Sequence, residues 1–150
     1  SGGPAPGGHN VIAGLFEAAK RAHPENVIIG FLAGPKGIIT GKWKEVDASL
    51  VNAYKNSGGF HMLGTGRDKI DTADKMAKCR QTCLDLQLDG LVVVGGDDSN
   101  TNAAFLAENL REIGVQVIGI PKTIDGDLQV PGCCRFPSAF IPPAWPLPPK

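Results

Sequence analysis

Leu91-Val92-Val93-Val94-Gly95-Gly96-Asp97-Asp98-Ser99-Asn100-Thr101-Asn102 reads as a buried strand running through a glycine pair into a helix. Four β-prone apolar residues between Gly90 and Gly95 predict the strand. Ala103, Leu106, Ala107 and Leu110 then recur at helical spacing, with Ser99 or Asn100 as the expected N-cap and Gly114 closing the helix. A further strand over 115–120 is stopped by Pro121. Upstream the alternation repeats. A helix starting at Asn10 carries Val11, Ile12, Leu15, Phe16 and Ala19 and ends at His23-Pro24. The apolar run 27–32 predicts a strand covered on both faces, and 34–41 a loop. A short helix over 46–54 is broken by Ser57-Gly58-Gly59. A longer helix over 72–86, capped by Asp71, has Met76, Cys83 and Leu84 on its apolar side. Alternation of this kind predicts an α/β fold, a Rossmann-like three-layer sandwich with a mostly parallel sheet.

Both ends break the pattern. The glycine-rich start would follow a strand in such a fold, and that first strand is missing; with no initiator Met, the chain is expected to begin inside a longer protein. Residues 130–150 hold seven of the twelve prolines and show neither helical nor strand period. We therefore divide the chain into an incomplete domain over 1–129 and a proline-rich tail over 130–150. The tail is read as polyproline-like or disordered. A misread or non-native terminus is preferred there to a ligand for aromatic grooves.

Fifteen basic residues balance fifteen acidic ones, which argues against a nucleic-acid footprint and an anionic membrane surface. No apolar run is long enough for a transmembrane helix, and no signal peptide opens the chain. Cys79, Cys83, Cys133 and Cys134 lack the spacing and His partners of a zinc site, with His9, His23 and His61 scattered. Reduced thiols in a cytoplasmic protein are the reading.

Three polar segments fall where such sheets gather ligands, beyond the strands' carboxyl ends. The first is Ser1-Gly2-Gly3-Pro4-Ala5-Pro6-Gly7-Gly8, whose glycines allow close approach of N–H groups to a phosphate. It lacks the Lys-Ser/Thr ending of a Walker loop. The second holds Asp97 and Asp98, a pair suited to hydrated Mg²⁺. A calcium loop is rejected there, because Asn102 stands where that loop needs glycine. The third is Pro121-Lys122-Thr123-Ile124-Asp125-Gly126-Asp127. It combines a cation, a hydroxyl and two carboxylates, the set that phosphoryl transfer to an alcohol requires. Turn and capping roles are the plainer alternatives for each segment taken alone.

Together these segments resemble the phosphofructokinase family: Gly2-Gly3 with Ala5-Pro6-Gly7, then Gly95-Gly96-Asp97, then Thr123-Ile124-Asp125 with Asp127. The resemblance covers residues 1 to about 129 and implies that family's N-terminal domain. ATP-dependent members typically carry glycine where this chain has Asp98 and Lys122. These two residues resemble the pyrophosphate-dependent branch. A carboxylate at Asp98 would repel a nucleotide's α-phosphate, and Lys122 would attract pyrophosphate. Gly64-Thr65-Gly66-Arg67-Asp68-Lys69 and Ser99-Asn100-Thr101-Asn102-Ala103 resemble the plant-type catalytic subunit, which associates with a regulatory one.

The resemblance implies residue roles. Gly2 and Gly3 would donate N–H groups to pyrophosphate, Lys122 would hold it and Asp98 would exclude ATP. Asp97 would organise Mg²⁺. Thr123, Ile124 and Asp125 would meet fructose 6-phosphate, with Asp125 as base on its 1-hydroxyl and Asp127 supporting it. Arg67 would neutralise the transferring phosphoryl group. The implied products are fructose 1,6-bisphosphate and phosphate, in a reversible glycolytic reaction. The family's second domain, which supplies most sugar-phosphate contacts, has no counterpart here, so the chain alone is expected to be unstable or inactive. A non-catalytic subunit or interaction module is the second reading. An NAD or lipid kinase is disfavoured because those families lack the Thr-Ile-Asp-x-Asp segment.

Overall fold

The computed structural model describes residues 2, 3 and 7–124. The tail over 130–150, expected to be disordered, lies outside the described residues. Helix α1 (Gly8–Ala22) leads to strand β1 (Ile29–Phe31), helix α2 (Pro35–Thr40), strand β2 (Trp43–Glu45) and helix α3 (Ala48–Tyr54). Helix α4 (Ala73–Asp85), strand β3 (Gly90–Gly95), helix α5 (Asp97–Leu110), a 3₁₀ turn (Arg111–Ile113) and strand β4 (Gln116–Pro121) complete it.

The strand and helix read from residues 91–102 form the centre of the described fold. Strand β3 pairs in parallel with β4, from Gly90 opposite Gln116 to Gly95 opposite Pro121. Antiparallel neighbours can be joined by a tight turn, but this parallel pair needs a crossover, and α5 supplies it. One face of the pair packs Leu91, Val93 and Val117 against a core of Ile70, Cys79, Cys83, Leu106, Leu110 and Val115. Val92 and Ile118, opposite each other in register, stay exposed on the other face. A second cluster, around Ala13, Val46 and Val51, joins α1 to α3. Among the described residues, the parallel sheet is this two-stranded pair.

Several local expectations change. The strand expected over 27–32 is shorter, and Val27 is 63% exposed. Its strand β1 pairs antiparallel with β2 rather than lying between parallel neighbours. The expected loop over 34–41 contains α2, which Pro35 opens at a position that needs no N–H. Helix α1 starts earlier than Asn10, after Gly7 at φ 88°. Asn10 instead exchanges hydrogen bonds with Asn56, accepting from its N–H at 2.8 Å. Thr72, not Asp71, caps α4, and Asp71 pairs with Lys75 one turn on. In these cases a tertiary partner or a neighbouring side chain overrides the local preference.

Leu110 is fully buried, whereas Leu84 is 47% exposed. Leu110→Ala should cost about 2–5 kcal/mol in urea unfolding, and Leu84→Ala no more than about 1 kcal/mol.

Candidate functional site

At the end of β3, consecutive carbonyls point to opposite sides of the strand. Gly95 C=O accepts from Lys122 N–H on the β4 side at 2.9 Å. Val94 C=O accepts from Gly2 N–H, also at 2.9 Å. The first and third polar segments are thus attached on either side of the second. A Cβ on Gly2 would meet the Ser99 hydroxyl, and one on Gly95 would collide with both the hydroxyl and the Cβ of Ser99, so close approach requires glycine at Gly95 and favours it at Gly2. A Cβ on Gly3 would stand 3.9 Å from Lys122 Nζ. Thr123 is partly buried and Ile124 is 61% exposed. Asp125 and Asp127 lie outside the described residues.

Helix α5 starts directly after Gly96, so Asp97 and Asp98 occupy its first turn instead of a loop. Ser99 and Asn100 are therefore inside the helix rather than capping it. Asn100 Nδ2 reaches back to the carbonyls of Gly95 and Gly96, at 2.7 and 2.9 Å, and holds the glycine pair in place. Both carboxylates are exposed at the helix end that favours negative charge. Asp98 pairs with Lys69 at 3.0 Å, while Asp97, Arg67 and Lys122 have no ion pair among the described residues. Between α4 and α5 lies a groove of about 660 Å³, lined by Lys69, Met76, Arg80, Asp98, Phe105 and Asn109 among others.

Among the described residues, no three His, Cys, Asp or Glu side chains converge as a metal cage. Mg²⁺ needs no such cage, because it keeps waters and takes one or two carboxylates plus phosphate oxygens. Asp97, exposed and without an ion pair among the described residues, fits that requirement. Cys79 and Cys83 are free and buried within α4. The neighbouring Cys83 thiol, together with burial, pushes the Cys79 thiol up, away from thiolate.

Sequence spacing did not expose one polar cluster. His9 and His61 are far apart in the chain, yet their rings meet at 4.8 Å, with Tyr54 edge-on to both. His9 is fully buried. Its Nε2 accepts from Met62 N–H at 3.0 Å, which leaves Nδ1 to donate to Ser57 Oγ at 2.8 Å. The imidazole is thereby held neutral at the start of α1, just after the glycine-rich segment. A lone histidine in an apolar helical pattern carries no signal of this in the sequence.

Fold and site together define an α/β domain of the class that gathers its ligand where a strand ends against a helix N-terminus. The family profile described as Phosphofructokinase matches residues 1–134. The chain belongs to the phosphofructokinase family. It is 57% identical over 131 residues to a pyrophosphate--fructose 6-phosphate 1-phosphotransferase of Treponema pallidum, covering 86% of this chain and 23% of that protein. It is 51% identical over 142 residues to the Arabidopsis thaliana pyrophosphate--fructose 6-phosphate 1-phosphotransferase subunit beta 1, covering 93% of this chain and 25% of that one. The chain thus spans about a quarter of the length of the curated relatives it matches. A solved pyrophosphate-dependent phosphofructokinase from Nitrosospira multiformis superposes with a TM-score of 0.74 at 20% identity, covering 86% of this chain and 34% of that one. The expected α/β phosphofructokinase fold is borne out.

Burial, and to a lesser extent the charge of His61, lower the His9 pKa below its ordinary value. An unfolded chain therefore binds a proton at His9 more readily than the folded one. Stability from this residue is present above about pH 6.5 and is lost as pH falls towards the lowered folded value. Thermal melts at pH 8 and pH 5.5 should show a drop that His9→Gln reduces; an unchanged drop contradicts the assignment.

Proposed function

We propose that this chain is the donor-binding part of a pyrophosphate-dependent 6-phosphofructokinase, which transfers a phosphoryl group from pyrophosphate to the 1-hydroxyl of fructose 6-phosphate. The observation that carries the reading is the meeting of three segments at the end of β3, with Gly2 and Lys122 bonded to its last two carbonyls. Similarity to proteins named for that reaction supports it.

Gly2 and Gly3 bring the backbone close to pyrophosphate, and the Lys122 ammonium beside Gly3 holds it. Asp98, on the first turn of α5, excludes the bulkier nucleotide by repulsion. Asp97 would hold Mg²⁺, which would supply positive charge at the phosphate oxygens. Thr123 and Ile124 border the sugar phosphate. Asp125 takes the proton of the 1-hydroxyl as its oxygen attacks phosphorus, Asp127 supports Asp125, and inorganic phosphate leaves. Arg67 meets the charge on the transferring group. The protein acts in the cytoplasm as a homo-oligomer or with a regulatory subunit. No described helix is long and apolar enough to cross a membrane.

Titration calorimetry with Mg²⁺ should detect pyrophosphate and not ATP. Removing one charged contact in Lys122→Met should weaken pyrophosphate by about 10- to 100-fold, and Asp97→Asn should remove most of the Mg²⁺ dependence. Unweakened binding by both variants rejects the site. In a steady-state assay with both substrates, the 150-residue chain alone should show no turnover approaching that of a complete enzyme.

A further inference from the structure

Residues 64–70, which carry Arg67, form neither helix nor strand, so their backbone must be held from outside. Both ends are held. At the upstream end, Ala33 N–H donates to Leu63 C=O at 2.9 Å. Gly66 sits so close to the Ala33 carbonyl that a Cβ there would collide with it. At the downstream end, Asn102 of α5 makes two bonds to one residue. Its Oδ1 accepts from Ile70 N–H at 3.2 Å, and its Nδ2 donates to Ile70 C=O at 2.8 Å. Ile70 is itself buried in the core. Lys69 adds its ion pair to Asp98, one turn earlier on the same helix.

Arg67 lies between these anchors, without an ion pair among the described residues. One anchor is the helix that begins with Asp97 and Asp98. We propose that Asn102, assisted by Lys69, is a positioning residue that fixes Arg67 relative to an anion bound at the start of α5. This inference rests on the proposed pyrophosphate site. It gives Asp98 a second role, since the carboxylate that excludes nucleotide also anchors Lys69. Donor choice and the placement of Arg67 are thereby linked. The two anchors differ in strength. Asn102 makes partly buried bonds to backbone, whereas the Lys69–Asp98 pair is exposed, with side chains 54% and 75% accessible, and contributes little alone.

The decisive experiment uses the isotope-labelled 150-residue chain, with magnesium pyrophosphate as probe and NMR as readout. Asn102→Ala should speed amide exchange at Ile70 by about tenfold and weaken pyrophosphate by about three- to tenfold. In an Arg67→Met background the same substitution should change affinity by less than about twofold, the non-additivity expected of residues acting through one another. Lys69→Met should weaken binding by no more than about fivefold, and Lys69→Arg should restore it. The proposal is overturned if Asn102→Ala weakens pyrophosphate equally with and without Arg67. It is also overturned if Ile70 exchange rises while affinity stays constant, because the clasp is then structural only. Failure of the unmodified chain to bind pyrophosphate, while its amide spectrum is that of a folded domain, overturns the proposed function and this inference with it, and is recognised without any variant.

Discussion

The two carbonyls that close β3 organise the polar edge of the molecule. Val94 and Gly95 point to opposite sides of one strand, and a backbone N–H from a distant segment meets each of them. Gly2 arrives on one side and Lys122 on the other. Neither attachment depends on a side chain, so the geometry is set by main-chain hydrogen bonding at the end of a parallel pair. The strand's next residue, Gly96, then gives way to α5. Backbone N–H groups, a lysine and two carboxylates are therefore carried on elements whose relative positions the β3–β4 register determines.

Close approach is the second constraint, and it explains why small residues line this edge. Ser99 occupies the space that a Cβ on Gly2 or Gly95 would need, and Asn100 ties down the carbonyls of the glycine pair. Larger residues would push the first segment away from the strand. The core beneath, from Ile70 through Cys79 and Leu106 to Val115, holds α4 and α5 against one face of the pair. Asn102 links that core to the charged segment before it, since its partner Ile70 is buried while Lys69 next to it is exposed. Stability and the placement of a charged loop thus meet in one side chain.

Strand β3 was legible because four apolar β-formers between glycines leave few alternatives, and β4 because Pro121 ends it. The helices were legible from their apolar spacing, but their first residues were not. Capping depends on which polar side chain finds a better partner: Asn10 pairs with Asn56 and Asp71 with the Lys75 ammonium, rather than with a free N–H of the first turn. The β1–β2 hairpin was hidden for a related reason. A short apolar run looks the same whether its neighbour is parallel or antiparallel, and only the pairing with Trp43, Lys44 and Glu45 distinguishes them.

The amino-acid order by itself determined the α/β alternation, the family, and the residue types of the three polar segments. Local spacing and residue chemistry are properties of the chain, and they need no neighbours to be read. Only the tertiary structure decided that Gly2 and Lys122 meet the end of β3, that Asp98 is paired with Lys69, and that His9 is a buried, neutral partner of Ser57 and Met62. Those facts join residues separated by tens of positions. They arise from backbone groups and buried polar atoms seeking partners once the core has formed, and no periodicity in the chain encodes them.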